Sequence, residues 1–174
     1  MRCQSNLQAE ATLELTKITL RYNPEEDRLD LSGQDAQGKT IRLWLTLRLL
    51  LRLIPHFLQR QAISQSSCSE RSDYNDIDAS SSGSSAEMEV HCGPETSEVL
   101  VKAVDLRAER DHLILTFKDN LAQKRAAIIL SADALGELNL GLKRCFKEAE
   151  WPHAIFIHTL DVTYDVNSEA VTMH

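Results

Sequence analysis

Aromatic side chains make up only 5% of this 174-residue sequence, so aliphatic residues must supply most of any core. Cysteine is equally sparse. Cys3, Cys68, Cys92 and Cys145 are widely scattered and form no CxxC, so they read as reduced thiols of a cytoplasmic protein. The opening stretch, residues 1–12, has polar residues throughout and lacks the apolar run of a signal peptide. No long hydrophobic run occurs elsewhere. The richest one, around Leu47 to Leu58, is interrupted by Arg48, Arg52 and Pro55, which excludes a membrane span.

Catalytic signatures are missing as well. There is no GxGxxG, Walker loop, HExxH or GxSxG. The six histidines lack metal-type spacing, and His91-Cys92 with Cys68 fits no zinc finger or ribbon. These absences predict no catalytic residue, no cofactor and no metal.

What is present is a repeated pattern. A β-β-β-α unit spans 13–61, and a second spans 99–146. Leu13, Leu15, Ile18, Leu20 and Arg21 align with Val99, Val101, Val104, Leu106 and Arg107. Asp27, Leu29, Leu31 and Asp35 align with Asp111, Leu113, Leu115 and Asp119, and Leu43, Leu45 and Thr46 with Ile128, Leu130 and Ser131. In both copies the apolar alternation of the first strand slips by one residue. Side chains in a strand alternate faces with period 2, so a slip implies a bulge or a break in pairing.

The coarse reading follows the repeat. Strands are predicted to end near Tyr22 and to cover 28–33 and 39–45, followed by a helix over 46–61 with Thr46 as N-cap. The second copy repeats this at 98–108, 111–118 and 124–130, with Ser131 as N-cap of a helix that ends before Trp151-Pro152. A strand at 154–158 and a terminal hairpin of 161–164 with 170–173 complete the chain. The predicted class is α+β: two antiparallel three-stranded meanders with one helix each, related by a pseudo-twofold axis, plus C-terminal strands. The domain boundaries are 1–62, a linker over 63–97, and 98–174.

That linker holds the charge asymmetry. Between Ile63 and Glu98 stand eight acids against one base, Arg71, so the stretch carries the whole formal charge of −7. Serine-rich, acidic and poor in bulky apolar residues, it is predicted to be mostly disordered, with a short strand over 88–91.

The first helix is unusually apolar and carries its polar residues in one stripe. No acid occurs between Ala36 and Ser69, whereas Arg42, Arg48, Arg52 and Arg60 do, which makes these four the candidate anion contacts. The candidate interface residues are Trp44, Leu47, Leu51, Ile114 and Ile129. Trp44 and Ile129 point away from the inward aliphatics of their strands in both copies, and both are predicted to be substantially buried against the other copy or a second subunit. The pairs Asp27/Asp111 and Asp35/Asp119 read first as turn residues rather than a carboxylate site. Arg21 and Arg107 read as solvated or ion-paired.

The segment from Leu31-Ser32-Gly33-Gln34-Asp35 through Arg42-Leu43-Trp44-Leu45-Thr46 to the Leu- and Arg-rich helix resembles an uncharacterised family of small bacterial proteins. The resemblance implies a bacterial, cytoplasmic origin and carries no activity or site. The expected function is therefore non-enzymatic: a binding or assembly protein, a homodimer or one meeting a protein partner. The alternative is an anion or nucleic-acid binder, against which stand the acidic total and the lack of aromatic-basic interleaving.

Overall fold

The slip in the first strand is where that strand changes partners. The computed structural model describes residues 12–66, 89–156 and 171–173. Within them, β1 (Leu13–Asn23), β2 (Arg28–Asp35) and β3 (Thr40–Leu45) form an antiparallel meander that leads into α1 (Leu47–Ser66). After β4 (Ser97–Leu100), a second antiparallel meander of β5 (Ala103–Ala108), β6 (His112–Lys118) and β7 (Lys124–Ser131) leads into α2 (Ala132–Glu148). β8 (Val171–Met173) lies antiparallel along β5.

The strands form one mixed sheet in the order β4-β3-β2-β1-β7-β6-β5-β8. Two pairings are parallel, β1 with β7 and β3 with β4. Leu13, Glu14 and Leu15 pair with β7, whereas β1 from Lys17 onward pairs with β2, and the register shifts between Leu15 and Lys17. At the second slip the strand breaks outright. Val101 N–H donates to the Trp44 carbonyl at 3.0 Å, and the next residue, Lys102, donates to the Lys118 carbonyl at 3.0 Å. Two adjacent residues thus hand the backbone from β3 to β6, so the edge strand β4 runs directly into β5 near the sheet's other edge.

The single predicted strand over 98–108 is accordingly two strands, because its halves serve opposite neighbours. The two parallel pairings begin at similar points: Leu13 stands opposite Ala126 on β7, and Ser97 opposite Ile41 on β3. The first corner is the tighter one. There Gly33 stands opposite Ile18, while at the second corner Phe117 stands opposite Val104. A Cβ on Gly33 would lie 2.6 Å from Leu15 Cδ1, so any side chain there would force Leu15 to shift beneath the bulge.

Inward residues of both meanders (Leu29, Leu31, Leu43, Leu115, Phe117, Leu130) join Leu50, Leu53, Ile54 and Phe57 of α1 and Leu135, Leu142 and Phe146 of α2 in one core. Fully burying a side chain of this kind contributes about 1.5–3 kcal/mol. α1 lies against α2, the turn after α2 and β8, which accounts for its broad apolar surface. It runs unbroken through Pro55 to Ser66, past the predicted boundary at 62. Leu49 and Leu50 N–H groups donate to the Thr46 carbonyl at 3.1 Å each. Ser131 caps α2 by accepting from Ala134 N–H at 3.2 Å, and Asp133 lies in its first turn.

The aspartates at the strand ends are turn residues. Asp35 Oδ1 accepts from Gln37 and Lys39 N–H at 2.9 and 2.8 Å. Asp119 Oδ1 does the same for Leu121 and Gln123 at 2.8 and 3.0 Å. Both turns need a left-handed residue, filled by Gly38 (φ 89°) and Ala122 (φ 58°). Two local readings need correction. The predicted strand over 154–158 begins instead as a 3₁₀ turn, His153–Phe156, where Phe156 stacks edge-on against Phe146 at 5.2 Å. Residues 89–91 form no strand. The rest of the serine-rich stretch, 67–88, and the segment 161–164 lie outside the described residues.

Candidate functional site

The sheet's outer face differs in chemistry between its two meanders. On β2 and β3, Asp30, Ser32, Arg42 and Trp44 point outward, and β4 adds Glu98 beside them. Arg42 Nε lies 3.2 Å from Asp30 Oδ2 and its Nη1 2.6 Å from Glu98 Oε1. Trp44 Nε1–H donates to Glu98 Oε2 at 3.2 Å, and the Arg42 guanidinium sits 5.7 Å from the centre of the Trp44 ring. Burial alone would lower the Arg42 pKa, but Asp30 and Glu98 more than offset it and hold the group above its ordinary value.

Residues 89–96 then cross this face. Arg21 is ion-paired with Glu89, and Val90 N–H donates to Thr19 Oγ1 at 2.9 Å. Cys92 Sγ donates to Ser32 Oγ at 3.2 Å, and Ser32 Oγ donates to Asp30 Oδ1 at 2.9 Å. The hydroxyls of Thr40 and Thr96 meet at 2.8 Å. Val90, within this crossing segment, is buried. The first meander's outer face is therefore a closed polar network, with Trp44 half-buried in it.

The second meander presents the opposite character. Ile114 and Ile129 stand directly across from each other on β6 and β7, with Arg107 of β5 on the far side of Ile114. Ile114 is half-buried, but Ile129 is 63% exposed. Other exposed aliphatics among the described residues lie on α1 (Ile63), in the β6–β7 turn (Leu121) and on α2 (Leu140). Ile129 is the one on a strand, flanked by a second outward aliphatic. The intramolecular burial predicted for it is absent because no ion-paired network of the Arg42 kind is built around it: Ala127 holds the place that Arg42 holds on β3.

The remaining candidates separate. Leu47 and Leu51 are half-buried on α1 and pack against the common core, away from Ile129. The four arginines are not gathered. Arg42 is on the polar outer face, and Arg60 donates to the carbonyls of Glu109 and Arg110, the latter at 2.7 Å, holding the β5–β6 turn against α1. Arg48 and Arg52 are exposed on α1. Arg107 pairs with Glu109 at 3.4 Å. Asp27 and Asp111 do not converge either: Asp27 accepts from Tyr22 and Trp151, while Asp111 is exposed in the β5–β6 turn.

Sequence reasoning missed three contributors, Glu98, Cys92 and Glu14. Glu98 and Cys92 fall in the acidic stretch, where their charge and polarity read as features of a linker. Glu14 lies on β1 opposite Ala127, two residues along β7 from Ile129. Its one signal was its outward phase between Leu13 and Leu15.

Burial pushes the Cys145 thiol up to about 11, with the Glu148 charge adding to it, so it stays protonated and unreactive at neutral pH. Among the described residues, no group of three His, Cys, Asp or Glu side chains is placed to hold a metal, and no helix is long and apolar enough to cross a membrane. No family model matches the chain, and no curated protein or solved structure matches it.

Proposed function

We propose that this chain is a non-enzymatic binding or assembly protein that acts through protein–protein contact at the outer face of β6 and β7. The observation that carries this reading is Ile129, an aliphatic residue within a strand that is 63% exposed with Ile114 directly opposite. Exposed apolar residues scattered singly mean little, whereas a pair on one sheet face is the kind of surface that partners cover.

We read the two meanders as copies of one β-β-β-α unit related by a pseudo-twofold axis. On that reading the copies have diverged where it matters. Asp30, Arg42 and Trp44 of the first correspond to Ile114, Ala127 and Ile129 of the second. One face is closed by ion pairs around Arg42; on the other, aliphatic residues replace Asp30 and Arg42, and the remaining charges pair away from the two isoleucines, as Lys118 does with Asp105 at 2.6 Å. Cys92 and Cys145 are free thiols, which fits a reducing cytoplasmic setting. The nucleic-acid reading is less favoured, since Arg42 and Arg60 already serve groups of their own chain.

The test is purification from the native host of the parent chain and of Ile129→Asp, with the co-eluting proteins identified. The reading expects a complement that Ile129→Asp loses while remaining folded. The same complement with both proteins would remove this face from the function.

A further inference from the structure

We propose that residues 1–11 dock across the outer face of β5, β6 and β7, on the path that residues 89–96 take across β1, β2 and β3. The proposal rests on the reading of the two meanders as copies of one unit.

The crossing segment of the first meander supplies the template. Residues 89–96 lead into β4, which runs parallel to β3, and residues 1–12 lead into β1, which runs parallel to β7. Each segment ends in a threonine directly before its strand. Thr96 Oγ1 meets Thr40 Oγ1 at 2.8 Å, and Thr40 is the first residue of β3. Thr12 Oγ1 donates to the Lys124 carbonyl at 3.3 Å, and Lys124 is the first residue of β7. Both segments are therefore pinned at the same corner of their meander.

Four residues before Thr96, the Cys92 thiol bonds to Ser32, which stands between Thr19 and Arg42 in the middle of its sheet face. Four residues before Thr12 is Gln8. The place of Ser32 is held by Thr116, which stands between Asp105 and Ala127 and points outward from buried Leu115 and Phe117. Further back, Val90 N–H reaches Thr19 and Glu89 pairs with Arg21. The same steps bring Asn6 to Asp105 and Ser5 to Arg107. No acid is needed there, because Arg107 is already paired with Glu109 and Asp105 with Lys118. Val90 is the buried anchor of the first segment. Leu7, beside Asn6, is the bulky aliphatic residue between Arg2 and Ala11, and half-buried Ile114 on the adjoining row offers it an apolar contact. Ile129 stands at the edge of this path and stays open to a partner.

Disulfide trapping in the full chain tests the path. Gln8→Cys with Thr116→Cys, carrying Cys3→Ser, Cys68→Ser and Cys92→Ser, is expected to close a bond within one chain on mild oxidation, since the two Cβ atoms would lie about 4 Å apart. Gln4→Cys in place of Gln8→Cys should link about tenfold more slowly. Native Cys92 with Ser32→Cys is the positive control. Ala127→Cys, on the same row, replaces Thr116→Cys if that variant fails to fold.

No link from Gln8→Cys with the control intact would overturn the proposal, as would a link only between two molecules. A faster link from Gln4→Cys overturns it together with the residue-by-residue correspondence of the copies. The native-host purification is read separately: a Gln8→Cys link supports the docked segment whether or not a protein is retained through Ile129, and a retained protein without the link leaves only the contact-surface reading.

Discussion

Asp27 ties the first hairpin to the end of α2 through Trp151, whose indole N–H donates to Asp27 Oδ1 at 3.0 Å. The same oxygen accepts from the Tyr22 hydroxyl at 2.9 Å. Tyr22 and Phe146 both stack edge-on against the Trp151 ring, at 5.5 and 5.2 Å between ring centres. Asp27 itself is left-handed, with φ 47°, a conformation that Asp tolerates better than most residues. Thus a turn residue of the first meander is the anchor for the residue that follows the second helix.

Replacing Trp151 separates its two contributions. Trp151→Phe keeps most of the ring packing and removes the donor, and should lower unfolding free energy by about 1.5–3 kcal/mol, the scale of a hydrogen bond to a charged group. Trp151→Ala also opens a cavity and should lower it by about 3–5 kcal/mol. Urea denaturation of the three proteins measures both. Equal losses would mean that the indole N–H contributes everything and the ring packing nothing.

Gly33 tests the tight corner. The Cβ of Gly33→Ala would fall 2.6 and 2.9 Å from the two Leu15 methyl groups, and Leu15 is buried. Overpacking of this kind should destabilise by about 1–3 kcal/mol. Adding Leu15→Val makes room, so the double variant should lose less than the sum of the single ones. Strict additivity would show that the two residues do not share the space.

Ala122 occupies the same position in the β6–β7 turn that Gly38 fills in the β2–β3 turn, at φ 58°. Relieving a left-handed alanine gains more than the extra freedom of glycine in the unfolded chain costs. Ala122→Gly should therefore raise stability by about 0.5–1 kcal/mol. Thermal unfolding decides it, and a lower midpoint would rule out strain at this turn.

His56 on α1 supplies a pH dependence. Burial holds its pKa below the ordinary 6.5, so the unfolded chain binds this proton more readily than the folded one. Stability from the neutral imidazole is then fully present above pH 6.5 and lost as pH falls through the lower folded value. His56→Leu should flatten the decline of unfolding free energy across that window. An unchanged slope would assign the dependence to other groups.

Much of this architecture is legible in the chain because it is local. Period-2 aliphatics placed the strands of both meanders, and Asp35 and Asp119 announced their turns through bonds to backbone two and four residues ahead. Ser131 announced the start of α2. Even the slips at Thr16 and at Val101-Lys102 were visible as breaks in alternation. What they accomplish was not, since joining β1 to β7 and β4 to β3 pairs residues far apart in sequence, and alternation says nothing about which distant strand accepts a freed edge.

The two outward apolar residues make the same point for the site. Trp44 and Ile129 carry the same signal, a large apolar side chain in the outward phase of a third strand. Only the tertiary structure separates them: Glu98 and residues 89–96 come from elsewhere in the chain to enclose the first, and the second is left in water. Direction from a strand is set by the residue's own backbone, whereas burial is set by whatever the rest of the fold brings above it.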